Sequence, residues 1–467
     1  MPLQPIPLTK GSFQSVNALE LPAPEYATEL RNLVLNDAGS NVDRPALSSF
    51  ASIGSFAVEG LFYFSGHLVA VTGDRRIWKI TSTGAVTEIT GTPLAGGSRP
   101  VFASDGDFLA IAGGNSPQKW DGASNASPMD GSPPSCKFIS ILDSYWVTHL
   151  IDDQEFRFAG PTAPTRLTWT SADFFQAEGL ADNVKSQAVL MRELYAFGEE
   201  STEIFQNFGD ASTPFRRTFF IDKGILAPYS VVQADNTLFW FDSGRRFVRM
   251  TDRTPVEIST PYSSVLKRMT TVDDCWAARI DIDGFFLIAW TFPTEQRTLV
   301  FDYKKNEWCE WDCFSDGQST RFKMHSYAFV KAWNKHFVGD PNTGSVYELS
   351  FDNKTDGDSA LRRLRRTGQI DHGSGARKRS NYYLLHVKRG VGTPGETEPV
   401  LQMRVNDDGE GWTDYVDVPL GFPGDLQGPI RVDGLRGIYR KRQIEFHMTD
   451  PSALVIARLE ESVEALE

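Results

Sequence analysis

Cys309 and Cys313 stand four residues apart, a spacing that suits a pair of metal ligands. A tetrahedral zinc site needs four such ligands, usually arriving as two close pairs. The other cysteines, Cys136 and Cys275, stand alone, and the seven histidines are scattered. The pair therefore reads as buried structural thiols, and no metal is expected. Gly390, Gly392 and Gly395 match G-x-G-x-x-G, but Pro394 and the stretch from Glu396 to Pro399 cannot open the helix that would hold a pyrophosphate. A hairpin loop is expected there. Asp352, Lys354 and Asp356 imitate the start of a calcium loop, with a cation where a third ligand belongs. They read as a polar linker.

Asp407, Gly409 and Trp412 resemble the Asp-x-Gly-x-x-Trp turn of sialidase-like propellers, which is a folding turn rather than a site. A glycosidase also needs two carboxylates at a set separation, and sequence cannot place such a pair among 60 acidic residues. No G-x-S-x-G elbow, H-E-x-x-H helix or phosphate loop occurs. No catalytic residue and no cofactor is assigned, and the chain reads as non-enzymatic.

The net charge of -13 opposes tight nucleic-acid binding, which requires clustered Lys and Arg to displace counterions. The charge is uneven, however. Residues 361–390 hold nine basic residues and one acidic, a net +8 that leaves -21 for the remainder. The stripe Arg362, Arg363, Arg365, Arg366, Arg377, Lys378 and Arg379 has three readings: a charged guard on an edge strand, a DNA contact, or a surface for docking a partner. Under the docking reading, reversing Arg365 and Arg366 to Glu weakens assembly.

The elements around these residues are strands. With 12% aromatics and 39 glycines, the chain has the composition of many short strands and turns. Degenerate repeats support this. Residues 61–80 alternate apolar and polar positions around a break at Gly73-Asp74, and 238–250 return to the phrase with Gly244 at the turn. Weaker copies lie at 108–122 and 336–349. Such strand-turn-strand units stack into propeller blades of roughly 40 to 50 residues, so 51–355 holds about six. In 169–197, Val184, Ala188 and Met191 have helical spacing, but Leu190, Leu194 and the close at Phe197 favour strands. Residues 1–50, with prolines at 2, 5, 7, 22, 24 and 45, read as an extended N-terminal arm that docks on a neighbour. Residues 356–467 read as a C-terminal β-rich, sandwich-like domain for ring assembly. The fold class is all-β.

The N-terminus lacks the basic region and apolar run of a signal peptide. The most apolar run, 285–290, is too short to cross a bilayer. A soluble, non-secreted protein in a reducing compartment is expected, with no obligatory membrane contact.

Several segments, taken in order, resemble the tail-hub proteins of podoviruses, the P22-type packaged-DNA stabilisation family. They are Met1-Pro2 with Leu8 and Lys10-Gly11, then 194–209, Gly224 and the Leu238 phrase, and finally 406–413, Leu435 to Gly437, and Phe446 with Asp450-Pro451. The resemblance implies a structural phage tail protein assembled in the host bacterial cytoplasm. It further implies a homo-oligomer, a hexameric ring below the portal adaptor, or head-tail connector, that holds distal tail parts such as needle, spikes or fibres. Genomic DNA would pass through the ring lumen without specific binding. A glycan-binding or glycan-hydrolysing receptor-binding propeller is the main alternative, and an intracellular interaction propeller is a third.

Overall fold

The computed structural model describes residues 3–14, 25–161, 166–210, 213–315, 317–392, 396–424 and 428–466. Among them, six four-stranded antiparallel meanders, 58–88, 101–128, 140–176, 186–221, 232–257 and 276–315, are followed by a three-stranded one at 326–350. We number these blades 1 to 7. The first strands of successive blades lie side by side around a common axis, the arrangement of a β-propeller. Blade 7 takes only three strands from its own stretch. Its fourth is Ala46–Ser52, paired antiparallel with Ser345–Ser350. That closure explains why the count is seven where repeat spacing suggests about six, since the last blade is divided between distant parts of the chain.

Tight turns set the meander. Ser65-Gly66, Asp143-Ser144, Met191-Arg192, Asp235-Asn236 and Asp283-Gly284 join first to second strands, and both residues of each have positive φ. This is the two-residue turn whose twist matches paired strands. Met191 and Arg192 adopt it without the usual Gly, Asn or Asp, and Arg192 is tied to Asp143 in the neighbouring blade at 2.7 Å. Turns also correct the repeat alignment. Leu238 belongs to the second strand of blade 5, whereas Leu61 belongs to the first strand of blade 1. The true counterpart of the Leu238 phrase begins at Leu68. Arg75 and Arg245 occupy the same left-handed turn position, their N–H groups donating to Thr72 and Asp242 carbonyls. Apolar alternation is common to every strand, so only turn geometry fixes position within a blade. The ambiguous 169–197 stretch is strand: Thr168–Gln176, Ser186–Leu190 and Glu193–Phe197.

Each seam between blades encloses its own apolar cluster. Blades 4 and 5 share Tyr195, Phe197, Trp240 and Met250, and blades 5 and 6 share Phe247, Trp290 and Trp308, with the first two rings stacked at 4.2 Å. Removing one such side chain from water contributes roughly 1.5–3 kcal/mol. The seam between blades 6 and 7 differs. Its residues Trp276, Leu287, Val338 and Leu349 continue without a break into a second body.

That body is a β-sandwich built from both ends of the chain. One sheet contains Leu3–Ile6, Leu33–Leu35, Asn41–Asp43, Lys378–Val387 and Val455–Ala465. The other contains Ala27–Arg31, Arg363–Thr367, Val400–Asp407 and Arg442–Met448, and joins blade 6 where Arg31 pairs with Glu310. Tyr383, Leu385 and Leu459 from the first sheet meet Met403, Ile444 and Phe446 from the second. The segment expected to dock on a neighbour is thus taken up within its own chain, because Leu3–Ile6 completes the sheet beside Val455–Ala465. Gly11 shows how closely it packs: a Cβ there would lie 2.5 Å from the Trp308 carbonyl oxygen. The supposed polar linker is likewise internal. Asp356 is fully buried and accepts two hydrogen bonds from Arg44, at 2.5 and 3.1 Å.

Candidate functional site

The basic stripe divides sharply by burial. Arg363 and Arg365 are wholly buried on Arg363–Thr367. This strand is flanked by Ala27–Arg31 and Arg442–Met448, so it is no edge and needs no guard. Arg363 donates to the carbonyls of Asp450 at 2.5 Å and Ser452 at 3.2 Å. Arg365 donates to the Lys10 carbonyl (3.0 Å), the Asn41 side chain (2.7 Å) and the Glu25 carbonyl (3.2 Å), pinning the N-terminal segment. Burial pulls the Arg365 guanidinium down to about 9, still protonated at neutral pH. Arg366 lies between Glu29 at 2.8 Å and Glu445 at 2.5 Å, over the Trp412 ring. Arg362 reaches Asp312 at 3.5 Å. Lys378 is buried and donates to the carbonyls of Ser374, Ala376 and Arg440. Arg377 and Arg379 alone of the seven are exposed. Arg363, Arg365 and Lys378 therefore have no surface with which to meet DNA or a partner, and Glu substitution at Arg365 would test folding rather than docking.

The other motifs resolve into structure. Asp407 ends a strand and pairs with Arg442 at 2.5 Å, while Asp408 and Gly409 turn the chain at positive φ. All four cysteines are buried and unpaired, and burial pushes the Cys136 thiol up to about 11. Among the described residues no His, Cys, Asp and Glu group is arranged to hold a metal. The G-x-G-x-x-G match lies partly outside the described residues, at 393–395.

A second concentration of chemistry, which the sequence reading missed, lines the propeller axis. Arg99 leads into blade 2, Tyr229 into blade 5, Trp276 opens blade 6 and His325 leads into blade 7. Blades 2 and 6 face each other across the ring. Yet Arg99 stacks on the Trp276 ring, its guanidinium carbon 4.0 Å from the centroid, and donates to the His325 carbonyl. Tyr229 and Phe138 stack at 4.9 Å, with the Tyr229 hydroxyl beside Ser98. Side chains from opposite sides therefore meet near the axis. Two cavities lie beside them. One of about 540 Å³ is lined by His149, Asp152, Lys185, Glu199, Glu200 and Tyr229 among others. The next, about 280 Å³, is lined by Arg99, Gln187, Tyr229, Gln233 and apolar residues. His149 is buried and hydrogen-bonded to Gln187 at 2.9 Å, and burial drops it to about 4. Burial, then Arg99 and Arg321, hold His325 near 3. It is therefore neutral at pH 7, and its Nδ1 accepts from Arg321 at 2.9 Å. Arg99, Tyr229, Trp276 and His325 fall just before or at the first strand of a blade, a position recognisable only after blade boundaries are known.

Comparison with known proteins gives one family. Residues 48–354, the propeller, match the family model described as bacteriophage P22 Gp10, beta-propeller. Solved structures with similar folds include streptogramin B lyase (12% identity, 66% of this chain and 98% of that one, TM-score 0.43). The WD40 β-propeller domain of Doa1 matches at 10% identity, covering 65% and 96%, with a TM-score of 0.42. The computationally designed Ika8 protein matches at 11% identity, covering 65% and 100%, with a TM-score of 0.39. No curated protein matches in sequence.

Proposed function

This chain belongs to the bacteriophage P22 Gp10 β-propeller family, and from that premise we propose that it is a non-enzymatic subunit of the tail hub or nozzle below the portal adaptor. The family match across the whole propeller carries the reading. In this reading several copies form a ring, hexameric in the first instance. The ring retains packaged DNA, conducts it during ejection and carries distal tail parts.

The tunnel geometry supports a lumen shared between subunits. A duplex cannot thread a propeller whose axis is crossed by Arg99 on Trp276 and by Phe138 on Tyr229. DNA would instead run along the outer surfaces of several chains, and the acidic balance of -13 keeps those surfaces from holding a polyanion. The sandwich suits assembly, since Arg377 and Arg379 stand exposed on it.

Mass determination of the chain alone and mixed with portal-adaptor rings tests the proposal. Six copies joining one adaptor ring are expected, while a lone chain that ignores the adaptor overturns the hub reading and directs effort to glycan arrays. Arg377→Glu with Arg379→Glu should weaken that assembly while leaving the isolated fold within about 0.5 kcal/mol. Undiminished assembly removes the docking role.

A further inference from the structure

The tunnel holds cations that the fold leaves partly unanswered. Arg99 spends one nitrogen on the His325 carbonyl and one face on Trp276, although a guanidinium offers five N–H donors. Arg321 bonds His325 through one nitrogen, and its Nε has no partner. Among the described residues, neither arginine has a carboxylate within ion-pair distance. Asp274 and Asp340 lie near enough to favour the charged Arg321 without touching it. Glu59, paired with Arg75 at 2.6 Å, lies near enough to favour the charged Arg99 without touching it. Burial of a charge without a partner is costly, and here burial brings Arg99 down to about 10, leaving it protonated at neutral pH.

The adjoining chamber of about 280 Å³ offers space. Arg99 is the sole charged side chain on its wall among the described residues, with Ser186, Gln187, Tyr229 and Gln233 as further polar groups. The Tyr229 hydroxyl is buried without a well-formed hydrogen bond. No carboxylate lines the chamber among the described residues. This is the complement of a small anion, because charge-assisted hydrogen bonds from a guanidinium fork are strongest to oxyanions.

We propose that the propeller tunnel is a binding site for a small oxyanion, a phosphate or a carboxylate, held by Arg99. Bound there, the anion supplies the counter-charge and links the segment before blade 2 to the blade 5 wall across the axis. The proposal is independent of the tail reading, since it requires neither ring nor adaptor.

Calorimetric titration of the full chain with inorganic phosphate, and separately with citrate, tests it at low ionic strength. Saturable one-to-one binding is expected, with a dissociation constant on the order of 1 mM or tighter. Arg99→Met should weaken it about tenfold or more, Arg99→Lys less, and the exposed control Arg377→Met not at all. Phosphate alone binding would point to a phosphate ligand, and citrate alone to a carboxylate. Should Arg99→Met lose its fold, Ala188→Leu, which narrows the same chamber, must weaken binding to a similar degree. Absence of saturable binding by either anion overturns the proposal, as does unchanged binding in a folded Arg99→Met or Ala188→Leu protein.

Discussion

Two sets of arginines, one fully buried and one half-buried, meet their surroundings differently. At the join between sandwich and propeller, Arg44 is answered on every side. Asp356 binds it with two hydrogen bonds, Asn32 accepts from Nε at 2.7 Å, and the carbonyls of Pro45 and Asp312 accept the rest. In the sandwich, Arg442 takes both oxygens of Asp407 and also meets Tyr383 and Glu461. Burial opposes both charges most strongly, yet their carboxylate partners raise both above the ordinary arginine range. In the tunnel, Arg99 has a ring face and one carbonyl, and burial lowers it. Arginines of the first kind are fasteners. Those of the second kind are available to something else.

The largest way to break this contrast is at Asp356. Asp356→Asn leaves Arg44 charged, buried and without its counter-ion, and should cost about 3–5 kcal/mol in denaturant unfolding. Arg44→Met combined with Asp356→Leu should recover much of that loss, because the pair's attraction is spent offsetting its own desolvation. If Asp356→Asn alone were neutral, the join would not depend on the pair.

Acid should affect the two regions at different pH. An unfolded histidine takes up its proton near 6.5, whereas folded His149 resists until about 4. The unfolded chain therefore binds more protons across that window, and stability falls as pH drops from about 6.5 to 4, by at most about 3 kcal/mol from this group. His149→Gln should flatten that slope in urea titrations. The sandwich carboxylate Glu461 acts in the same sense but in a lower window. Burial alone would raise it, but bonds from His372 and Tyr439 and the charge of Arg442 hold it below the ordinary carboxylate range. Its contribution is complete above about 4.5 and is lost only as pH falls further. The tunnel side should thus loosen first.

Arg365 separates a positional fastener from a charged pair. Its partners are the Lys10 and Glu25 carbonyls and the Asn41 side chain, so it holds the N-terminal segment to the central strand of the second sheet without a carboxylate. Arg365→Met should cost about 2 kcal/mol, since the lost hydrogen bonds leave buried acceptors unsatisfied. It should also expose residues 3–14 to limited proteolysis before the propeller is cut. Simultaneous cleavage of both would mean the segment and propeller open together.

This residue also shows where sequence stops being informative. Blade strands were legible because alternation and turn residues are local, as at Leu238 to Met250. The fourth strand of blade 7 was not, because Ala46–Ser52 pairs with residues some three hundred positions later. Nor were the sandwich contacts of the N-terminal segment, which prolines made look like a free arm. The basic stripe misled for a related reason. A run of arginines has the same spelling on a solvated edge as on a central strand, and only the partners Asn41, Asp43 and Glu445 decide which it is. The tunnel residues Arg99, Tyr229 and Trp276 carry no motif at all. They converge because blade geometry brings the starts of their strands to one axis.

The smallest expected effect sharpens the comparison most. Arg99→Met, measured without phosphate or carboxylate in the buffer, should change stability by less than about 1 kcal/mol, because replacing a poorly paired, half-buried cation by an apolar side chain of similar length is commonly neutral or favourable. The same substitution at Arg44 removes one half of a complete pair and leaves Asp356 charged in the core, so it should destabilise several-fold more. Adding phosphate should then raise the midpoint of the parent protein and not that of Arg99→Met. If Arg99→Met instead destabilised as severely as Asp356→Asn, the tunnel arginine would be a fastener after all, held by Trp276 and the His325 carbonyl, and the distinction between the two sets would fall.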